Sequence, residues 1–515
     1  MNRALAAGPI LAFLLVPASA WAGEPYGAEA RDARAVHDGH PCPGHHGGAH
    51  GCPHHGAGDA AVDAAFDDDE EGAYDDEEAD DGHAYPCPHE AGSDHGCGLH
   101  PGGCPVGAGG CPHDDEEGGW RDGGWEPGEG VRIVPSAQYR LRFRHEEGRD
   151  VRAGDPVRNY FRHRVRAGLH TTWQDKLGVF VEVQDVRTYG EETSTVDAAG
   201  NAIDLHQGYA ILKPTKGLEI RLGRQEIGLE NERLVGKSAW GEEGRVFDAL
   251  RLSFDKDELH AEMFYARLRE LAPAGAAVEA GVDLGTRAHF AAFDVRHKLF
   301  TELVPSIIGT VDLDDQSGKR HVTLGALVEG EIEKVATYGL EGYFQTGRTT
   351  LELSHSAFMF GLRARGTFPV PSRPYLETAA SFSSGDADLD DLVDRTFASP
   401  QGTPHKFYGD VDMFTNLPRD TANRGLREVM VAIGCAPVEG MALRSSFHLF
   451  QSMADRNDAL VTFGEELDNR FEYRFWKHAA VDLGYAFFVP QQLKRRGVAD
   501  PVVEHFVYST VDLSF

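Results

Sequence analysis

The chain has 515 residues, of which 26% are charged, and its formal net charge is −32 at pH 7. This acidic balance excludes the basic surface by which proteins bind nucleic acid, so we expect no nucleic-acid partner. After the N-terminal segment, no apolar run approaches the ~20 residues of a transmembrane helix. If this chain spans a membrane, it therefore has to do so with a closed set of β-strands.

The first residues have the pattern of a secretory signal peptide. Arg3 is followed by an apolar stretch over residues 4–18 and by the small-residue pattern Ala20-Trp21-Ala22. This order predicts a signal peptide over residues 1–22. A membrane anchor is the alternative, but the stretch is shorter than the ~20 residues that cross a bilayer. The signal peptide predicts export. Since only β-strands of this chain could span a membrane, we expect the protein in the outer membrane of a Gram-negative bacterium.

Residues 23–130 differ in composition from the rest of the chain. They contain 26 aspartates and glutamates against three arginines, six of the seven cysteines and about half of the 25 histidines. Large aliphatic side chains are scarce, so the segment buries too little apolar surface to offset the entropy of ordering. We predict that it is a disordered tract in the periplasm, unless something crosslinks it, followed by a structured domain at residues 131–515.

The tract carries two copies of one pattern, 45 residues apart: Pro41-Cys42-Pro43 with His50-Gly51-Cys52, and Pro86-Cys87-Pro88 with His95-Gly96-Cys97. Thiolate and imidazole ligands suit Zn, Cu or Ni. The candidate ligands are Cys42, His45, His46, His50, Cys52, His54, His55, Cys87, His89, His95, Cys97, His100, Cys104, Cys111 and His113. The spacings are not those of a zinc finger, and in an oxidising periplasm the six cysteines could equally pair as disulfides. The tract therefore has three alternative interpretations: a metal buffer, a segment crosslinked by disulfides, and a low-complexity spacer.

Residues 131–515 predict an all-β fold, a transmembrane antiparallel up-and-down β-barrel of about eighteen strands. Period-two runs are separated alternately by tight turns and by longer connections, and the longer ones include residues 226–244, 312–319, 346–350 and 385–425. The last run alternates in the same way and ends on an aromatic residue, Phe515. These features are typical of outer-membrane barrels, whose partners are membrane lipids and the barrel assembly machinery. A soluble multi-sheet protein is the alternative, but it needs neither alternating loop lengths nor a signal peptide.

Arginine recurs on one face of the predicted strands. Because arginine facing lipid near the bilayer midplane costs about 2–4 kcal/mol, we expect these side chains to face the lumen. The candidates are Arg140, Arg142, Arg144, Arg162, Arg164, Arg166, Arg221, Arg251, Arg444, Arg470 and Arg474. If they outnumber their acidic neighbours at the narrowest point, the lumen favours anions. Alternatively, carboxylates such as Glu182, Glu219, Glu377 and Glu472 pair with them and the charges only fill the interior.

Five motifs occur in an order that resembles the alginate export barrels of the Gram-negative outer membrane. They are Gln184-Asp185-Val186-Arg187-Thr188-Tyr189-Gly190; Gly223-Arg224-Gln225; Glu232-Arg233-Leu234-Val235-Gly236 with Trp240 and Gly244-Arg245-Val246-Phe247-Asp248; Ser383-Ser384-Gly385-Asp386 with His405-Lys406-Phe407-Tyr408-Gly409-Asp410-Val411-Asp412; and Gly464-Glu465-Glu466-Leu467-Asp468. The resemblance implies an eighteen-stranded barrel with an electropositive constriction that passes a polyuronate outward. The residues that it adds to the lumen are Arg187, Arg224, Arg233 and Arg245.

The third long loop, which carries Arg233 and Arg245, is expected to fold inward and narrow the pore, with an external lid as the alternative. The sequence thus indicates an outer-membrane, porin-like channel for an anionic polysaccharide or oligosaccharide, with periplasmic export proteins as expected partners. A general anion porin, and a metal-binding surface protein anchored by its barrel, are the other candidates. Neither a nucleophile elbow nor a zinc-protease motif is present, so we expect no enzymatic activity and no required cofactor.

Overall fold

The computed structural model describes residues 124–128, 130–149, 156–190, 203–269, 287–456, 460–492 and 501–515. The predicted signal peptide, nearly all of the acidic tract and all fifteen candidate metal ligands lie outside the described residues. The described residues therefore comprise the barrel and the short segment that precedes it.

The described part of the chain contains twenty β-strands. They are β1 Trp125–Gly128, β2 Val131–Glu147, β3 Arg158–Trp173, β4 Leu177–Thr188, β5 Asp204–Thr215, β6 Leu218–Gln225, β7 Phe247–Lys256, β8 Leu259–Arg269, β9 Ala288–His297, β10 Val304–Asp314, β11 Lys319–Ile332, β12 Ala336–Arg348, β13 Ser354–Thr367, β14 Tyr375–Ser383, β15 Val393–Asp394, β16 Leu426–Cys435, β17 Met441–Gln451, β18 Thr462–Trp476, β19 Ala479–Pro490 and β20 Glu504–Ser514.

Eighteen of these strands, all except β1 and β15, form one closed antiparallel barrel. Each pairs with the next along the chain, and β20 returns to β2, where Tyr139 lies opposite Leu513. Closure leaves no unpaired strand edge toward lipid. The predicted fold class and strand number are confirmed.

The strands alternate between an outward apolar face and an inward face. In β13 the side chains of Ala357 and Met359 are 2% and 1% exposed, whereas those of Phe358 and Phe360, which alternate with them, are 47% and 42% exposed. Such alternation is required of a strand with lipid on one side and the barrel interior on the other. Large exposed hydrophobic side chains recur on the outward face all around the barrel.

The connections are short at one end of the barrel and mostly long at the other. The long ends include residues 226–246 and 384–425, as expected from the sequence. The connection expected at residues 312–319 is in fact shorter, at residues 315–318, because β10 pairs with β11 as far as Asp314. The connection expected at residues 346–350 lies at residues 349–353 and is as short as the expected one. Alternation of loop length is therefore broken on this side of the barrel.

A short strand precedes the barrel. In β1, Trp125 lies opposite Ile133 and Gly128 lies opposite Val131 of β2. The prediction of disorder over residues 23–130 is thus wrong for this last part of the tract, because the first residues of β2 offer it a backbone ladder.

In the part of the chain that the structure describes, helical structure occurs in the connection at residues 384–425, which holds a 3₁₀ turn at Pro404–Lys406 and a single-turn helix, α1, at Leu417–Asp420. Among the residues described, no helix has the length and apolar character needed to cross a membrane.

Candidate functional site

Two long connections fold into the lumen. We call residues 226–246 the third loop and residues 384–425 the seventh loop. The backbone N–H of Gln401 donates to the carbonyl of Leu234 at 2.9 Å, and the N–H of Gly236 donates to the carbonyl of Gln401 at 2.8 Å. The inward position that the sequence favoured for the third loop is therefore what the structure shows, and the external-lid alternative is wrong.

Apolar side chains hold the seventh loop inside the barrel. Phe414 of this loop is fully buried and packs on Phe450 and Phe488 of the wall, with ring centroids 4.7 and 6.3 Å apart. Phe397 and Leu234 belong to the same buried cluster. Burying a large apolar side chain contributes about 1.5–3 kcal/mol, so the loops have an energetic reason to stay in the lumen.

The predicted arginines of β2 and β3 bind the third loop. The Arg142 guanidinium donates to the carbonyl of Trp240 at 2.6 Å and lies 2.7 Å from the Glu242 carboxylate. Arg140 donates to the carbonyl of Ala239 at 3.0 Å. The whole group shares the inward face of β2 and β3 and comprises Arg140, Arg142, Arg144, Arg162, Arg164 and Arg166.

The partners of the other members of this group are similar. Arg164 donates to the backbone carbonyl of Glu242 at 3.3 Å, and Arg144 lies 3.9 Å from the Glu242 carboxylate. Arg162 pairs with Glu243. These arginines therefore act first as anchors of a loop, since their donors are directed at that loop and not at open lumen.

Trp240 joins the wall to both loops. The Arg142 guanidinium lies over its indole ring, 4.0 Å from the centroid, and the His405 ring of the seventh loop stacks on it at 4.2 Å. Tyr508 of β20 meets the same indole edge-on at 4.8 Å. A cation–π contact that is shielded from water contributes about 2 kcal/mol, so this stack is a strong junction.

A cavity of about 570 Å³ lies between the two loops and the wall. Its lining holds ten lysines and arginines against twelve aspartates and glutamates. The lumen is therefore mixed in charge, and any preference for anions has to come from a local surplus of arginine.

A local concentration of arginine lies around Glu377 of β14, whose carboxylate is fully buried. Three guanidinium groups surround it: Arg365 at 2.5 Å, Arg363 at 3.3 Å and Arg444 at 3.7 Å. Arg474, on the cavity wall, forms no ion pair within the described residues. Three guanidinium groups therefore share the Glu377 carboxylate.

Two members of this cluster, Arg363 and Arg365, were not among the predicted site residues. The signal was present, since Leu362-Arg363-Ala364-Arg365 repeats the alternation that marked β2 and β3. In β13 the apolar residue Leu362 faces outward and the arginines face inward.

Most other candidate arginines of the lumen are neutralised. Arg470 lies 2.7 Å from Asp482, and Arg251 lies 2.5 Å from Glu262. The remaining pairs are Arg140 with Asp512, Arg166 with Glu226, Arg221 with Glu219 and Arg233 with Glu341. Arg245 instead donates to the backbone carbonyls of Gly236 and Gly402. The alternative in which interior charges pair across the wall therefore describes much of this lumen.

Arg187 and Arg224 do not line the lumen, which corrects the expectation carried over from the family. Arg187 is on the same outward face of β4 as Val183, and Arg224 is on the same face of β6 as Leu222. Each pairs with a neighbouring outward carboxylate, at 3.0 Å for Asp185 and 2.9 Å for Asp248. Both lie at the long-loop ends of their strands, where the penalty for a charge facing the membrane falls to about 0–1 kcal/mol.

Two loop carboxylates have pKa values shifted in opposite directions. Burial opposes ionisation of Glu226, but its hydrogen bond with His206 and the charge of Arg166 outweigh burial and lower its pKa to about 2. Burial, together with the nearby Asp468 carboxylate, raises the pKa of Asp410 in the seventh loop. The third loop is thus tied to the wall by a group that stays ionised at any ordinary pH.

Within the described ranges, no set of three or more His, Cys, Asp and Glu side chains is arranged to hold a metal ion. The lumen therefore contains paired arginines that position two loops, a cluster of three arginines around Glu377, and a cavity between the loops and the wall.

The alginate export family model matches residues 134–499. Among solved structures, the barrel is similar to Pseudomonas aeruginosa OpdO, with a TM-score of 0.52 and 11% identity over 74% of this chain and 97% of that one. Pseudomonas aeruginosa OccK11 (OpdR) gives 0.51 and 12% over 74% and 96%, and Acinetobacter baumannii OccAB1 gives 0.51 and 10% over 74% and 97%. No curated protein matches the chain. At these identities the structural likeness shows the fold alone.

Proposed function

Since the chain belongs to the alginate export family, we propose that this outer-membrane channel, which is not an enzyme, passes an anionic polysaccharide such as a polyuronate through its lumen. The family implies transport outward, toward the end of the barrel with long loops. Periplasmic export proteins that deliver the chain are the partners we expect.

The observation that carries the proposal is the arginine cluster around Glu377, in which Arg363, Arg365 and Arg444 share one carboxylate. A polyuronate presents one carboxylate on each sugar. The planar guanidinium meets a carboxylate with two parallel hydrogen bonds and keeps its charge at all relevant pH values. Arg363 and Arg444 of this cluster line the cavity, where walls of protein strengthen the attraction of a guanidinium group for a passing carboxylate.

The abundance of protein carboxylates supports transport in preference to tight binding. A conduit has to attract its substrate strongly enough to admit it and weakly enough to release it. In this lumen Arg470 is already paired with Asp482, and Arg140 with Asp512. A passing uronate has to compete with these partners, so each contact stays weak and the chain moves on.

The proposal is tested by single-channel recording of the full-length protein in a planar bilayer. Oligouronates added to one side should interrupt the current in a manner that depends on their length, and neutral oligosaccharides of equal length should not. Arg444→Gln should weaken the block, whereas Arg187→Gln, which changes an outward-facing residue, should leave it unchanged. A general anion porin, the second candidate, would conduct chloride without a length-dependent block.

A further inference from the structure

The inward face of β18 carries two buried carboxyl groups beneath the seventh loop. Glu466 and Asp468 are 1% and 4% exposed and lie within hydrogen-bonding reach of each other. Glu466 Oε2 and Asp468 Oδ1 are buried and find no hydrogen-bond donor among the described residues. Because an ionised carboxylate only accepts hydrogen bonds, a hydrogen bond between these two groups requires a proton on one of them.

The seventh loop rests directly on this carboxyl pair. The backbone N–H of Val411 donates to Glu466 Oε1 at 2.8 Å. At Gly409 the loop backbone comes so close that an added Cβ would overlap the Glu466 carboxylate, and φ of this residue is +83°. Glycine adopts this conformation without strain. Glu466 therefore attaches residues 405–412 of the loop, which we call the 405–412 segment, to the barrel wall.

One positive side chain lies beside the pair on the neighbouring strand. His448 of β17 is opposite Glu466, and its Nε2 lies 3.2 Å from Asp468. Its Nδ1 lies 2.9 Å from Glu428 of β16. A single imidazole between two carboxylates cannot neutralise both of them. The strand on the other side, β19, places apolar, buried Phe488 opposite Glu466 and adds no charge.

The two arginines nearest to the pair are engaged elsewhere. Arg444 of β17 lies 3.7 Å from the Glu377 carboxylate. Arg470 of β18 lies 2.7 Å from Asp482 and 2.8 Å from Glu472. Both guanidinium groups are therefore shared with carboxylates outside the pair.

The 405–412 segment brings further carboxylates to the same place. His405 Nδ1 lies 2.9 Å from Asp412, and its Nε2 lies 3.9 Å from Asp410. Burial, together with the charge of Asp468, raises the pKa of Asp410. A raised carboxyl pKa favours the attached state at low pH, and this preference is lost as the pH rises through that pKa. The segment thus adds negative charge to the pair as the pH increases.

We propose that Glu466 and Asp468 share one proton that holds the 405–412 segment on the barrel wall, and that loss of this proton as the pH rises releases the segment and widens the cavity. Two ionised carboxylates in contact and shielded from water repel each other, which moves Glu466 away from the Val411 N–H. Phe414 keeps the rest of the loop packed on the wall, so the release is local. Since His405, Phe407 and Asp410 line the cavity, their release changes its width.

The third loop responds to pH in the opposite direction. Glu226, whose pKa is lowered by His206 and Arg166 against the effect of burial, loses its charge only in acid. The two loops are therefore both attached between an acid limit set by the third loop and an alkaline limit set by the Glu466–Asp468 pair.

The test is hydrogen exchange of the full-length protein in detergent between pH ~5 and pH ~9, above the ~4.3 at which a free glutamate ionises. Each exchange rate is corrected for its intrinsic pH dependence. Release of one proton changes the opening equilibrium by up to about tenfold per pH unit, so amides of the 405–412 segment should lose at least about tenfold of their protection. Single-channel conductance in a planar bilayer should rise over the same interval.

Two variants on adjacent positions of β18 identify the group that titrates. Glu466→Gln keeps an acceptor for the Val411 N–H and offers Asp468 a donor that does not ionise, so its protection and conductance should lose most of their pH dependence. Glu465→Gln is the matched control, because Glu465 faces outward and accepts from Gln491 at 2.6 Å. This variant should respond to pH like the wild type. Heat-modifiable migration on a gel verifies that both variants fold.

Constant protection or constant conductance across this pH interval in the wild-type protein would overturn the proposal, and so would a wild-type response in Glu466→Gln. Loss of protection on addition of a chelator at constant pH would assign the two buried oxygens to a metal ion and would also overturn it. These measurements need no polysaccharide, so their failure is distinguishable from failure of the proposed function.

Discussion

Arg142 on the barrel wall and Glu242 in the third loop form an ion pair of 2.7 Å in which the two side chains are 2% and 0% exposed. The pair crosses from a membrane-spanning strand to a segment that occupies the lumen. An ion pair buried to this degree holds two elements in a fixed position, because separating the charges leaves at least one of them buried and unpaired. The position of the third loop, and so the width of the lumen, depends on this contact.

Glu242→Gln should loosen the third loop and raise the single-channel conductance. Loss of one partner of a buried ion pair costs about 3–5 kcal/mol, since Arg142 would stay buried without its counter-charge. The matched control is Glu243→Gln: the neighbouring carboxylate is 62% exposed, and exposed pairs contribute about 0–1 kcal/mol. Equal conductance in the two variants would show that the buried pair does not hold the loop.

Arg444→Gln should shift the reversal potential under a KCl gradient toward cations, because it removes one of the three positive charges that surround Glu377. Arg187→Gln and Arg224→Gln should leave the reversal potential unchanged, since both side chains face outward. A larger shift from either outward variant than from Arg444→Gln would mean that the arginine cluster around Glu377 does not determine selectivity.

The strand number and the inward direction of the arginines on β2 and β3 could be predicted, because lipid on one face imposes alternation and penalises charge near the midplane. The family resemblance misplaced Arg187 and Arg224, which face outward where the strands leave the apolar band and that penalty falls to about 0–1 kcal/mol. The partners of the arginines could not be predicted. Arg233 meets Glu341, 108 positions away along the chain, and only closure of the barrel brings such residues together.

The attachment of the third loop should weaken in acid. The pKa of Glu226 is held at about 2 by His206 and Arg166 against the effect of burial, below the ~4.3 of a free glutamate. A lowered carboxyl pKa stabilises the attached loop above pH ~4.3, and this stability is lost as the pH falls from ~4.3 to ~2. Backbone amides of residues 226–246 should lose protection from hydrogen exchange over that interval, after each exchange rate is corrected for its intrinsic pH dependence, and Glu226→Gln should remove this loss. Protection that does not change with pH in the wild-type protein would contradict this role of Glu226.

Deletion of residues 24–123 should leave a folded barrel, since the strands from β2 onward close on themselves and β1 is retained. Heat-modifiable migration of the shortened protein on a gel is the measurement. A variant that fails to migrate as a folded barrel would show that the deleted tract is needed for assembly.

The histidines and cysteines of the tract give a separate prediction. If the tract buffers metal, the reduced peptide of residues 23–130 should bind Zn or Cu and release protons as its thiols ionise. Replacing its six cysteines by serine should weaken binding sharply, and isothermal titration calorimetry in two buffers measures both effects. Equal affinity for the metal after replacement would exclude thiolate coordination. So would the finding that all six cysteines form disulfides in protein taken from the outer membrane.

Passage of a polyanion is tested most directly by the release of size-defined oligouronates from proteoliposomes that contain the full-length protein. Oligouronates should be released well above the level from protein-free liposomes, and neutral oligosaccharides of the same length should be released much more slowly. Arg444→Gln should slow the release of oligouronates. Retention of oligouronates while small anions pass, or equal release of charged and neutral oligomers, would contradict passage of a polyanion through this channel.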